Sequence, residues 1–407
     1  MKKSYLFFLL PLFIFLLATT LFSQSRNRFE ITGFVFDAST GESINYANVF
    51  LANTTRGDAT DESGEYIITN IPPGTYELIA TMMGYEIQKK VIQVYGLKSK
   101  VFIFHLKPKI LQGEEITVTA KNPKEWRKNL KIFERIFFGK KEFAKKCELK
   151  NPEVLDFKYD RKTGKFNAIS EGALVLINNA LGYEVTLFLE EFYVELFNND
   201  DIYIIEGKEE WMTKSIRNGA IRCKSTNYFK ELKAKDDKQK KEWVKNRLIA
   251  YNGSRRHFFN SLINGSYKDE GFKVCGSKDD SGRNDYTLNI KEILKPSDND
   301  YHYILTFPDL LKVIYAKEKD EVNFEIGMEV SYSQHSFSGR SNYIANQRIR
   351  YANQTSWINI LAGKDILLNY NGIVIPNGTE YGCSGYWFWD RPVESLPEDY
   401  NKTTNLK

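Results

Sequence analysis

Long apolar runs are missing from this sequence once its first residues are passed. No later stretch approaches the eighteen or more uninterrupted apolar residues that a membrane-spanning helix needs. Histidine is scarce, with four in 407 residues. A zinc carboxypeptidase needs two imidazoles and a carboxylate on the metal, with one position open for water. His105, His257, His302 and His335 show no His-x-x-Glu spacing, and no two stand four apart on a helical pattern. No metal and no cofactor is expected. Cysteine is as sparse. Cys147, Cys223, Cys275 and Cys383 share no metal-type spacing, and an oxidising compartment would leave all three full pairings open. Scattered, partly buried thiols are the simpler expectation. A charge excess is missing too. The formal charge of +5 falls to +3 without Lys2 and Lys3, so nothing global asks for nucleic acid.

What is present begins with an export signature. Lys2-Lys3 precede an apolar stretch from Leu6 to Leu17, and Ser23-Gln24 offers a cleavage junction. Residues 1–23 therefore read as a signal peptide, and the periplasm or an outer-membrane-associated site is the expected location. No cysteine directly follows that junction, which argues against lipid attachment. The length suits two or three domains. An aromatic content of 14%, mostly Tyr and Phe, favours β-structure.

Between Ile31 and Leu106, short alternating apolar runs are broken by turn residues, the mark of an antiparallel sheet with one buried face. Ile31, Gly33 and Val35 alternate, as do Ala47, Val49 and Leu51, and then Tyr76, Leu78 and Ala80. Asp61-Glu-Ser-Gly64 and Ile71-Pro-Pro-Gly74 are tight turns. About seven strands result, enough for a closed two-sheet core. Ile31-Thr-Gly-Phe-Val35, Gly41 with Ala47-Asn-Val49, Gly57 with Thr60-Asp-Glu-Ser-Gly-Glu-Tyr66, Ile71-Pro-Pro-Gly-Thr-Tyr76 and Gly84-Tyr85 follow one another in an order that resembles the carboxypeptidase-regulatory-like domain, a transthyretin-like β-sandwich. The resemblance covers residues 29–108. It implies a non-catalytic module of the kind that accompanies metallopeptidases, outer-membrane transporters and envelope proteins.

Residues 109–150 read as an exit strand, Gln112 to Ala120, and a basic helical connector. Asn122-Pro123 is a good helix start. Trp126, Leu130, Phe133 and Phe137 then share one face. Residues 121–150 carry eleven Lys or Arg against four Glu. Such a helix either lies on an anionic membrane or packs on the strands that follow at once, and the second reading is preferred. Too little chain remains for a large transmembrane barrel. Residues 151–400 read as a mainly antiparallel β region with helices near 238–262, and 401–407 as a tail. Separate strands are expected over Tyr183–Glu190 and Phe192–Phe197. Glu184, Glu190 and Glu191 make no convincing acid pair, because adjacent strand residues face opposite ways. Asn178 with Leu181-Gly-Tyr183, the run Trp243 to Ser254 with His257-Phe258, Glu270-Gly-Phe272, Ser356-Trp-Ile358 and Gly385-Tyr-Trp387 with Leu396-Pro397 resemble landmarks of Gram-negative envelope proteins that carry this sandwich at their N-terminus. That likeness implies architecture and location only.

Two places invite a ligand. Arg255, Arg256 and His257 follow Ser254 at a helix start, where two guanidinium groups and the helix N-terminus could hold a phosphate or a sugar acid. Against this, Ser254 serves as a simple cap and His257 as a packed side chain. Trp387 and Trp389 in Gly382-Cys-Ser-Gly-Tyr-Trp-Phe-Trp389 either stack on sugars or peptides or seal the last sheet. Ser384 lacks the Gly-x-Ser-x-Gly elbow of a nucleophile. The expected fold is mainly β, a transthyretin-like sandwich followed by a larger antiparallel α+β region. The expected role is a non-enzymatic envelope binding or scaffold protein with a protein or glycan partner and possible peripheral contact with the membrane. The alternatives are a carbohydrate- or peptide-processing hydrolase and a peripheral membrane protein held by the basic helix.

Overall fold

The computed structural model describes residues 28–96, 99–109, 123–139, 142–160, 162–196, 216–279, 284–319, 353–361, 365–375, 380–389 and 392–402. The export stretch, the exit strand at 112–120, His335 and residues 403–407 lie outside them. The structure is mainly β, 48% strand and 20% helix.

Seven strands build the N-terminal domain: β1 (Phe29–Asp37), β2 (Asn48–Leu51), β3 (Gly57–Ala59), β4 (Glu65–Ile71), β5 (Gly74–Thr81), β6 (Gln88–Val94) and β7 (Ser99–Leu106). They form two sheets, β4-β1-β7 and β3-β2-β5-β6. Alternate residues of β1 point inward, where Ile31 and Val35 meet Val49, Leu51, Leu78, Ala80, Phe104 and Leu106. One pairing departs from the antiparallel expectation. β1 and β7 run parallel, from Glu30 beside Ser99 to Asp37 beside Leu106. Alternation sets which face is buried and carries no information on direction. Here β7 is reached by crossing from β6 in the other sheet, and such a crossover permits parallel pairing. Gly33 makes it possible, since a Cβ there would sit 1.7 Å from the Phe102 carbonyl oxygen. The Tyr66 hydroxyl donates to that same carbonyl at 2.8 Å.

Both edges of the three-stranded sheet are covered by side chains from the other sheet. Asp58 of β3 accepts from the Ile67 N–H of β4 at 2.8 Å. Across the sandwich, Gln88 and Lys90 of β6 donate to the carbonyls of His105 and Ile103 on β7. Exposed edges template pairing with other chains, and these side chains occupy the groups that would do so.

The connector helix α1 (Pro123–Phe138) opens the second region. Its Phe133 and Phe137 pack against Phe192, and Trp126 donates to the Leu155 carbonyl at 3.0 Å. The apolar face is thus committed to the sheet rather than to a bilayer. That sheet holds β8 (Cys147–Leu149), β9 (Leu155–Asp160), β10 (Lys165–Ser170), β11 (Leu174–Asn178), β12 (Tyr183–Leu196) and β13 (Ile216–Glu231). β12 is one strand where two were expected. A bulge lies between Leu189 and Glu191 and shifts the inward parity from Tyr183, Val185 and Leu187 to Phe192 and Val194. The extra residue keeps both halves facing one core.

Helix α2 (Asp237–Tyr251) locks onto this sheet through one face. Trp243, Asn246 and Arg247 donate to the successive carbonyls of Asn179, Ala180 and Leu181 at 2.8, 2.8 and 2.7 Å. Helix α3 (Arg255–Ile263) covers a third layer. This contains β14 (Phe272–Ser277), β15 (Asp285–Tyr286), the short helix α4 (Ile290–Ile293), β16 (Leu294–Pro296), β17 (His302–Leu305), β18 (Leu310–Lys319), β19 (Asn353–Leu361), β20 (Ile366–Asn369), β21 (Glu380–Gly385) and the terminal turn α5 (Tyr386–Trp389). Phe258, Phe259, Leu311, Ile358, Leu368 and Trp387 share its core. The four cysteines form no disulfide with one another. No helix among the described residues is long and apolar enough to cross a membrane.

Gly33→Ala should destabilise the protein by about 1–3 kcal/mol or more, because backbone has to move. Tyr66→Phe, which removes only a hydroxyl, should cost about 1 kcal/mol. Urea denaturation checks both, and an unchanged Gly33→Ala midpoint would contradict the close β1–β7 approach.

Candidate functional site

The residues singled out at the helix pair come together in space but not around a ligand. Ser254 caps α3 by accepting from the His257 N–H at 3.2 Å. The His257 ring is buried against Tyr251, Phe272 and Tyr315. Its Nδ1 accepts from the Gly253 N–H at 3.1 Å, which places the ring proton on Nε2, 3.2 Å from Glu270 Oε2. Burial pushes this imidazole down to about 4, outweighing the pull of Glu270, so it is neutral near pH 7. Glu270 also accepts from Lys402 at 3.2 Å. Both ring nitrogens are therefore engaged, and the two bonds fix the orientation of the ring.

Arg256 is turned inward. Its two terminal nitrogens donate to the Pro397 and Tyr400 carbonyls at 2.8 and 2.7 Å. Arg255 points elsewhere, 3.4 Å from the Tyr381 hydroxyl and 3.9 Å from Cys383 Sγ. The two guanidinium groups do not converge, so the anion cradle considered at this helix start has no pair of guanidinium groups to build it, and the alternative of Ser254 as cap and His257 as packed side chain fits the geometry. Trp387 is buried, donates to the Gly253 carbonyl at 2.7 Å and packs on Phe258. It seals the last sheet and offers no face to a sugar. The Trp389 side chain lies outside the described residues. Among the described residues, no three His, Cys, Asp or Glu side chains gather in a way that could hold a metal.

Two features that the sequence reading passed over stand out instead. The first is the outer face of the sheet β4-β1-β7. Its cross-strand rows are Ile67, Thr32, Val101 and then Glu65, Phe34, Ile103. Phe36 lies between Phe34 and His105, with centroid separations of 6.0 and 5.6 Å. Val101 is 64% exposed, Ile67 46% and Ile103 42%. A signal was available, because β1 and β7 are apolar at both parities. That pattern belongs to strands covered on two faces.

The second is a three-way joint. Residues 53 and 54, in the turn after β2, run beside β13. Thr54 bridges to Tyr228 in parallel, the Asn53 N–H donates to the Asn227 carbonyl at 2.7 Å, and the Phe229 N–H donates to the Thr54 carbonyl at 3.0 Å. The C-terminal segment closes it. The Glu398 N–H donates to the Asn53 carbonyl at 2.7 Å, and the Asp399 carboxylate accepts from the Thr55 N–H and hydroxyl at 2.9 and 2.5 Å. Arg56 Nε lies 3.0 Å from Asp399, at ion-pair distance without its N–H aimed along a hydrogen bond. Further along the same seam, Glu190 accepts from Lys89 of the sandwich and from Thr226. Burial alone would raise this carboxyl, but the bonds from Lys89, Thr226 and Lys224 bring it to about 2. Near the end of β6, His302 Nε2 stands 2.8 Å from the Tyr95 hydroxyl and 3.2 Å from Thr75 Oγ1. These contacts join residues far apart in the chain, so no local pattern announces them.

Residues 31–118 match the CarboxypepD_reg-like domain family, and the N-terminal sandwich is a domain of that kind. The match takes in about a fifth of the chain. No curated protein matches. Among solved structures, similarity extends to a type II cohesin–X-dockerin complex from Acetivibrio cellulolyticus, at 18% identity over 19% of this chain and 52% of that one, with a TM-score of 0.17. The match thus spans about half of that chain's length. A candidate carbohydrate-binding protein from Bacteroides uniformis matches at 12% identity over 50% of this chain and 78% of its own, TM-score 0.17. A candidate membrane-associated protein of unknown function from Bacteroides fragilis matches at 12% over 51% and 84%, TM-score 0.17. At these scores the structural likenesses carry no argument about what this chain does.

The core roles of Trp387 and His257 make two measurable claims. Trp387→Ala should cost about 3–5 kcal/mol of stability. The His257 contribution is complete above the ordinary imidazole value of 6.5 and is lost as pH falls toward about 4, because the unfolded state then binds the extra proton. Melting temperature should therefore fall less steeply between pH 6.5 and 4.5 in His257→Gln than in the parent. Parallel pH profiles would contradict that assignment.

Proposed function

We propose that this is an exported envelope protein with a binding or scaffold role, in which the non-catalytic sandwich offers its outer face to another protein. The patch of exposed Ile67, Val101 and Ile103, with half-buried Phe34 and Phe36 between them, carries this reading. Contiguous exposed apolar surface on one sheet marks an interaction site, and the edges of the same sheet are already covered from within the chain. Docking is therefore through the face rather than by strand addition.

A protein surface fits this face better than a glycan. Side chains stand roughly perpendicular to a sheet, so Phe34 and Phe36 present upright rings among Val and Ile rather than flat platforms for sugars. Burying such aliphatic and aromatic groups yields about 25 cal/mol per Å². The apolar N-terminal stretch behind Lys2-Lys3 supports export. The His257–Glu270 pair, with both ring nitrogens engaged, gives the hydrolase reading no support.

A photo-crosslinking residue at Val101, compared with one at the exposed Met83 away from that face, tests the reading in native envelopes. One discrete protein adduct is expected from position 101 and none from 83. Phe34→Glu should abolish it at a stability cost of about 1–2 kcal/mol, since Phe34 is half-buried and pairs with Glu65. Equal labelling from both positions, or an adduct insensitive to Phe34→Glu, would remove this face from the function.

A further inference from the structure

We propose that the joint between the sandwich and the rest of the chain is a proton-operated latch, closed while Glu398 is protonated and loosened when it ionises. The geometry places this carboxyl where ionisation is poorly supported. Its side-chain hydrogen bond within the joint is long and comes from a neutral donor, Asn53 Nδ2 at 3.4 Å. The adjoining Asp399 already takes the Thr55 donors and stands beside Arg56. Arg256 is near, but its terminal nitrogens donate to the Pro397 and Tyr400 carbonyls, and its buried Nε makes no hydrogen bond to Glu398.

The groups facing Glu398 come from every element around it. β5 contributes Glu77 and Tyr76, the turn after β2 contributes Asn53, α3 contributes Arg256, and β21 contributes Tyr381 with Arg255 of α3 beside it. Burial pushes the Glu398 carboxyl up. Arg256 and the Asn53 bond oppose the shift, Asp399 and Glu77 add to it, and the result is about 7. A carboxyl raised in the closed joint holds its proton there more tightly than in the open one. Its contribution to closure is complete below the ordinary value of 4.5 and is lost as pH rises through about 7. That sign is opposite to the one derived for His257, so the two groups are separable by pH.

The device acts on sandwich attachment, because the Glu398 main chain and side chain both grip Asn53. It does not depend on which partner docks at the outer face.

Amide hydrogen exchange of the full chain, corrected for intrinsic rates, tests the latch. Protection of residues 53–56 and 397–402 should fall about tenfold between pH 6 and pH 8.5, as one linked proton allows, while β1 stays protected. Glu398→Gln should keep the pH 6 level of protection throughout. Glu77→Gln removes a charge that raises Glu398 and should move the midpoint to lower pH. Flat protection in the parent, or an unaltered fall in Glu398→Gln, would overturn the proposal. If Glu398→Gln fails to fold, an unmoved midpoint in Glu77→Gln would overturn it equally.

Discussion

Asn53 is the residue on which the assembly of this chain turns. Its backbone is left-handed, with φ at 58°, a conformation that Asn tolerates better than most side chains. In that pose its N–H meets Asn227, its carbonyl meets Glu398, and its Oδ1 accepts from the Asn227 main chain and side chain at 3.2 and 3.3 Å. One residue thereby joins the sandwich, the longest strand of the second region and the C-terminal segment. Each of these polar groups would be expensive to leave unpaired in the joint, so the three parts are held in one arrangement.

The same economy of polar groups shapes the sandwich. Its sheet edges are closed by Asp58, Gln88 and Lys90, which satisfy backbone donors and acceptors that would otherwise invite another strand. Among the described residues, nothing gives the apolar outer face such cover. Around the joint, two carboxyls behave differently, and their donors differ. Glu190 meets two lysines and a threonine and stays charged, whereas Glu398 has one neutral amide, a nearby Arg256 that makes no bond to it, and acidic neighbours in Asp399 and Glu77. Desolvation raises both carboxyls, and at Glu190 the donors overturn it.

Much of this architecture was legible in local pattern. The alternation of Ile31, Gly33 and Val35, the turns at Gly64 and Gly74, and the shared face of Trp126, Phe133 and Phe137 all describe contacts made within or next to one element. Trp387 was legible as a core candidate from its aromatic neighbourhood. The face made by Phe34, Val101 and Ile103 was readable as apolarity at both parities, yet only the third dimension shows that nothing in the described chain covers it. The bulge at Glu190 was not legible, since one extra residue in a strand resembles the end of one strand and the start of another.

The amino-acid order by itself determined the alternating strands of the sandwich, the helix α1 and its inward face, and that a CarboxypepD_reg-like sandwich stands near the N-terminus. These follow from periodicity and turn chemistry, which act over a few residues. The tertiary structure decided the parallel course of β7 beside β1, the inward turn of Arg256 and the meeting of Asn53 with Asn227 and Glu398. Those depend on where distant segments come to rest, and a side chain's partners and its proton affinity are properties of that packing.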